Sequence, residues 1–138
     1  MRVLVSTDGF VADDGSAAWA FVAFADGVTT ASRSGMLSRR TASHLAEWTA
    51  MRQALAWAEE SLEEGELELR TDSALVAKGL ASRRPEMSGE AAALRAECRQ
   101  ALARLAARGV TARVVRVRRE ENEAADGLAR DAAGQGAL

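Results

Sequence analysis

Four acidic residues stand where carboxylates can do chemistry: Asp8, Glu47, Asp72 and Asp126. Asp8 follows the run Val3-Leu4-Val5-Ser6-Thr7, and Asp72 follows Leu67-Glu68-Leu69-Arg70-Thr71. Both sit at the carboxyl end of an expected strand, where ligand sites gather in open α/β sheets. Glu47 shares a helical stripe with Ala50, Met51, Ala54, Leu55 and Ala58, so it is aimed inward rather than at solvent. Asp126 repeats the pattern beside Asn122, Ala125 and Ala129. Inward carboxylates are seldom left unpaired. A group of them suits hard cations that prefer oxygen, Mg²⁺ or Mn²⁺. Two such ions about 3.5–4 Å apart can activate water and stabilise the leaving oxygen in phosphodiester cleavage.

Each acid has a plainer reading when taken alone. Asp8 could be a turn residue before Gly9, and Glu47 a first-turn partner of a helix dipole. Asp72 or Ser73 is a competent N-cap for the helix that follows, and Asp126 could be an exposed helix acid. Those readings do not explain four acids aimed at one edge. The sequence offers no HExxH, CxxC or phosphate-binding loop for other chemistries.

The elements that must position these acids follow from periodicity. Residues 3–8, 17–24 and 28–35 read as three strands, with Asp8-Gly9 closing the first and Asp26-Gly27 as a hairpin turn. Residues 41–60 read as a helix that Ser43 could cap. Residues 67–71 form a fourth strand and 73–80 a short helix. A break at Ser82-Arg83-Arg84-Pro85 precedes a helix from a Ser88 cap to Arg108, with Met87, Ala91, Leu94, Cys98, Ala101, Leu102 and Leu105 as its apolar stripe. Gly109 ends it. Residues 110–117 are a fifth strand, 122–133 a last helix and 134–138 a frayed tail. An antiparallel meander followed by α/β crossovers gives a mixed sheet with helices on its faces.

The chain has 138 residues, 48% hydrophobic and 28% charged, which suits one soluble domain spanning 1–138. Nothing approaches the roughly 20 apolar residues of a membrane span, and the N-terminus has no signal-peptide layout. A single cysteine, Cys98, permits no internal disulfide and points to a reducing, cytoplasmic setting; it reads as a core residue rather than a nucleophile. The net charge is −2, so any nucleic acid must be met by a local basic patch. Trp19, Trp48 and Trp57 read as core. Arg33, Arg39, Arg40, Arg113 and Arg116 read first as solvated arginines.

Four blocks together resemble type 1 ribonuclease H. They are Ser6-Thr7-Asp8-Gly9, Ser43-His44-Leu45-Ala46-Glu47, Thr71-Asp72-Ser73 and Asn122-Glu123-Ala124-Ala125-Asp126-Gly127-Leu128-Ala129. The resemblance covers nearly the whole chain. It implies a ribonuclease H-like fold, a five-stranded mixed sheet of order 3-2-1-4-5 with helices on both faces. It implies an endoribonuclease that cuts the RNA strand of RNA–DNA hybrids with two Mg²⁺ ions (Mn²⁺ as a substitute), leaving a 3′-hydroxyl and a 5′-phosphate. On that footing Asp8, Glu47, Asp72 and Asp126 are the catalytic metal ligands. Gly9, Ser43, His44, Ser73, Arg118, Arg119 and Asn122 contact the substrate, and the enzyme works as a monomer.

Three departures from the family pattern stand out. The histidine common in the loop before the last helix is absent from Arg116-Val117-Arg118-Arg119-Glu120-Glu121, where Arg118 or Arg119 could substitute. The asparagines that often precede the helix glutamate are Ser43 and His44 here. The basic, Trp-bearing protrusion is reduced to a short segment with Arg83 and Arg84. Two other readings compete: a DNA-directed nuclease on the same fold, and a nucleic-acid-binding module without catalysis.

Overall fold

Alternation along the strands sorts their side chains onto two faces. Val3 and Val5, Phe21 and Ala23, and Leu67 and Leu69 enter one core cluster with Trp48, Met51, Leu55, Cys98 and Leu105 from the helices. Ala18, one position out of phase with Phe21, faces the other side and packs with Ala132, Ala133 and Phe10. The computed structural model describes residues 2–37, 42–81 and 89–136. Its strands are β1 (Arg2–Val11), β2 (Ala17–Ala25), β3 (Val28–Met36), β4 (Gly65–Thr71) and β5 (Val110–Arg116). Its helices are α1 (Ser43–Ser61), α2 (Ala74–Ala81), α3 (Gly89–Arg108) and α4 (Glu123–Gly136), with a 3₁₀ turn at Arg119–Glu121.

The sheet order is β3-β2-β1-β4-β5. β1 pairs antiparallel with β2 and parallel with β4, and β4 pairs parallel with β5. This is the mixed five-stranded arrangement that the resemblance implied. α1 and α3 pack on one face, and α4 lies across β1, β2 and β3 on the other. At the β2–β3 hairpin, Asp26 and Gly27 both take positive φ, 53° and 76°. That is the backbone an Asp-Gly two-residue turn supplies. Cys98 is fully buried, and burial pushes its thiol up to about 12, as befits a core residue. Trp48 and Trp57 are core as expected, while Trp19 is half-buried and stacks on Phe21. Among the described residues no helix is long and apolar enough to cross a membrane.

Three local expectations are corrected. β1 does not close at Asp8-Gly9; it continues to Val11, because β2 offers partners as far as Val11↔Ala17. Ser43 does not cap α1. The cap position is Ala42, which has no side chain to accept a hydrogen bond, and Ser43 is the first helical residue. α4 runs to Gly136, past the residue 133 at which periodicity ends it. The Ser88 cap, Met87 and Arg39, Arg40, Arg83 and Arg84 lie outside the described residues.

Candidate active site

The parallel register of β1 and β4 ends at Thr7↔Thr71, so the next residue on each strand, Asp8 and Asp72, leaves the same edge of the sheet. α1 crosses that edge with its first turn against Gly9. A Cβ at Gly9 would lie 2.3 Å from the Ala46 carbonyl carbon and 2.4 Å from the Glu47 nitrogen. Only a glycine permits that approach, and it brings Glu47 beside Asp8. The Gly9 N–H donates to the Glu47 carboxylate. α4 is anchored from the other side. Asn122 is buried; its Nδ2 donates to the Thr7 carbonyl at 2.8 Å, and its backbone carbonyl accepts from the Asp126 N–H at 3.0 Å. The start of α4 is thereby fixed one residue from Asp8.

Carboxylate oxygens of Asp8, Glu47 and Asp72 all lie within 4.8 Å of one another. Asp126 adjoins this trio through a hydrogen bond with Asp8. Asp8 is only 3% exposed. Burial, then the charges of Glu47 and Asp72, push its carboxyl up to about 10. Burial and the charge of Asp72 push Glu47 up to about 8. Burial also raises Asp72, against the pull of Arg119. Among the described residues, Glu47 Oε2 is buried without a hydrogen-bond partner. An oxygen-only donor set, crowded like charges and an orphaned carboxylate oxygen fit a hard divalent cation.

These acids open into a cavity of about 1120 Å³. Gly9, Ser43, His44, Ser73, Arg118 and Arg119 line it with the four carboxylates, so all but one of the sequence-expected residues meet there. The exception is Asn122, which holds α4 from behind. Ser73 caps α2, its Oγ accepting the Val76 N–H at 3.2 Å, which leaves Asp72 free of that duty. The two arginines differ. Arg118 binds Glu121 through its backbone N–H at 3.1 Å and its Nε at 3.2 Å, closing the 3₁₀ turn. Arg119 instead turns to the acids, its Nε 4.0 Å from Asp72 Oδ2. Arg113 is not at the site; with Arg2 and Arg70 it surrounds the buried Glu68. Arg116, read first as a solvated arginine, also lines the cavity, as do Phe10 and Arg130, which were not singled out by the sequence. The spacing of Asp126 and Arg130, four apart on a helix, was the available signal for the last.

The raised carboxyls make stability depend on pH. Between about pH 5 and 8 the folded chain holds protons on Asp8 and Glu47, and up to about pH 9 still on Asp8, that the unfolded chain releases near 3.8 and 4.5. Stability therefore falls as pH rises through that window. Glu59, Glu68 and Glu121, held low by arginines, act in the opposite sense but below it. In chelator, the melting temperature is expected to drop from pH 5 to pH 9, and Mg²⁺ to restore most of the loss. The slope should flatten in Asp8→Asn; an unchanged slope would contradict this origin.

Fold and site together define a ribonuclease H-like protein of type 1. A family model described as Reverse transcriptase-like matches residues 6–132, and the chain belongs to this ribonuclease H1-like family. RNase H1 of the halophilic archaeon Halobacterium salinarum is 28% identical, with a TM-score of 0.83 over 98% of this chain and 99% of that one. The N-terminal RNase H domain of a Mycobacterium tuberculosis protein is 24% identical, with a TM-score of 0.80 over 99% of both chains. LC11-RNase H1, solved in complex with an RNA/DNA hybrid, is 22% identical, with a TM-score of 0.79 over 99% of both. A search of curated protein sequences finds no match.

Proposed function

We propose that the chain is a divalent-metal-dependent endoribonuclease that hydrolyses the RNA strand of RNA–DNA hybrids. The observation that carries this is the convergence of Asp8, Glu47 and Asp72, with Asp126 adjoining, in a cleft rimmed by arginines. The hybrid seen with LC11-RNase H1 supports the choice of substrate. Asp8, Glu47, Asp72 and Asp126 would hold two Mg²⁺ ions, with Mn²⁺ as the substitute. Bound there, the ions supply activation of the attacking water and charge stabilisation at the leaving oxygen.

The chain's own groups do the rest. Asp8 is buried, as is Oε2 of Glu47, and this keeps competing water away from those oxygens. Ser43 and His44, on the first turn of α1, face the same cavity and offer polar atoms to ribose 2′-hydroxyls and phosphates. Arg119 is the residue in the place of the absent loop histidine, because Arg118 is occupied by Glu121. An arginine keeps its charge at all working pH values. Arg119 therefore grips the scissile phosphate or the departing 5′-phosphate, and it does not shuttle a proton. Contacts to backbone and 2′-hydroxyls predict little base preference. A hybrid labelled in its RNA strand should be cut internally in Mg²⁺ and left intact in chelator. The products should carry 3′-hydroxyl and 5′-phosphate ends. Binding of the hybrid without cleavage in either Mg²⁺ or Mn²⁺ would favour a binding module instead.

A further inference from the structure

Outside the carboxylate trio, a series of side chains in contact reaches the site from the rim. Phe10 lies on the part of β1 beyond Asp8 and packs against Ala18, Ala132 and Ala133. The Arg130 guanidinium carbon stands 4.5 Å from the centre of the Phe10 ring. Arg130 Nε donates to Asp126 Oδ2 at 2.9 Å. Asp126 in turn shares a hydrogen bond with Asp8. Asp126 is the one site carboxylate outside the cluster whose oxygens lie within 4.8 Å of one another. Its carboxylate is held by two side chains, Asp8 and Arg130.

We infer that Arg130, clamped on the Phe10 ring, is a positioning residue that fixes Asp126 in rotation and so sets how tightly the site holds its cation. The inference rests on the metal-dependent reading above. A solvated pair four apart on a helix usually contributes little. Arg130 differs from that case in having two partners at once. Its planar face lies over an aromatic ring and its edge meets the carboxylate, a division of labour that lysine cannot reproduce. Groups that orient a metal ligand typically change metal affinity about 10–100-fold when removed. Arg130 is half exposed, so the lower end of that range is expected.

The test is calorimetric titration of the substrate-free chain with Mn²⁺. Arg130→Ala should weaken Mn²⁺ binding about tenfold, toward the loss expected of Asp126→Asn. Arg130→Lys and Phe10→Leu, which keep the charge and the apolar contact respectively, should each fall in between. In an Asp126→Asn background, Arg130→Ala should add nothing, since the pair then has no carboxylate to act through. Arg130→Ala within twofold of wild type, with Asp126→Asn weakened, would overturn this inference and leave the metal site standing. An equal loss in both backgrounds would also overturn it, as the mark of general loosening. A wild-type chain that takes up no Mn²⁺ would overturn both the inference and the metal-dependent reading.

Discussion

Asp72→Asn is expected to abolish cleavage of a hybrid while the chain stays folded. Asp72 leaves the end of β4 toward Asp8 and Glu47, its oxygens within the same 4.8 Å cluster. Asparagine keeps the volume and removes the charge, the property a hard cation needs from this position. Removing one preorganised charge-stabilising group from a reacting centre typically costs 10²–10³-fold in rate. The upper end applies here, about 10³-fold or roughly 4 kcal/mol of barrier. The fold has no reason to suffer. Ser73, not Asp72, caps α2, and Asp72 repels Asp8 and Glu47. In chelator the variant should melt no lower than wild type. Cleavage within threefold of wild type would remove Asp72 from the ligand set.

Gly9→Ala is expected to damage both stability and activity. The added methyl would meet Ala46 carbon at 2.3 Å, Glu47 nitrogen at 2.4 Å and Ala46 oxygen at 2.7 Å. All three are backbone atoms of α1, so no side-chain rotation relieves the contact. Overpacking of this kind costs about 1–3 kcal/mol and occasionally more. The relief available is for the first turn of α1 to lift away from β1, which carries Glu47 off Asp8. A displacement of about 1 Å at a reacting centre can cost on the order of 10²-fold. Denaturant unfolding and kcat should therefore fall together. A variant as stable and as active as wild type would mean that α1 is not held by this approach.

Much of this site was legible because strand-end and stripe positions are local patterns. Asp8 and Asp72 are brought together by parallel pairing of two strands whose alternation was plain. Glu47 and Asp126 face inward because three- and four-residue spacing puts them on small-residue stripes. What was not legible depended on partners remote in the chain. Gly9 was expected to touch substrate; it lines the cavity, but its Cβ-free backbone is also the seat of α1. Asn122 was expected to do the same; it does not line the cavity, and its Nδ2 donates to the Thr7 carbonyl, 115 residues away. Asp8-Gly9 looked like a strand end because Asp and Gly favour turns, but pairing with Ala18 and Ala17 carries β1 through Phe10 and Val11. That extension places the ring on which Arg130 rests. The choice between Arg118 and Arg119 needed the 3₁₀ turn, whose Glu121 takes one arginine and leaves the other beside Asp72.

Whether the site acts on RNA paired with DNA is decided by a single cleavage comparison. Equal amounts of end-labelled RNA–DNA hybrid, double-stranded RNA and double-stranded DNA of one sequence are incubated with the chain in Mg²⁺. The expected result is internal cuts in the RNA strand of the hybrid, with both other duplexes intact. Preferential cutting of the DNA duplex, or no cutting of the hybrid in either Mg²⁺ or Mn²⁺, would contradict it.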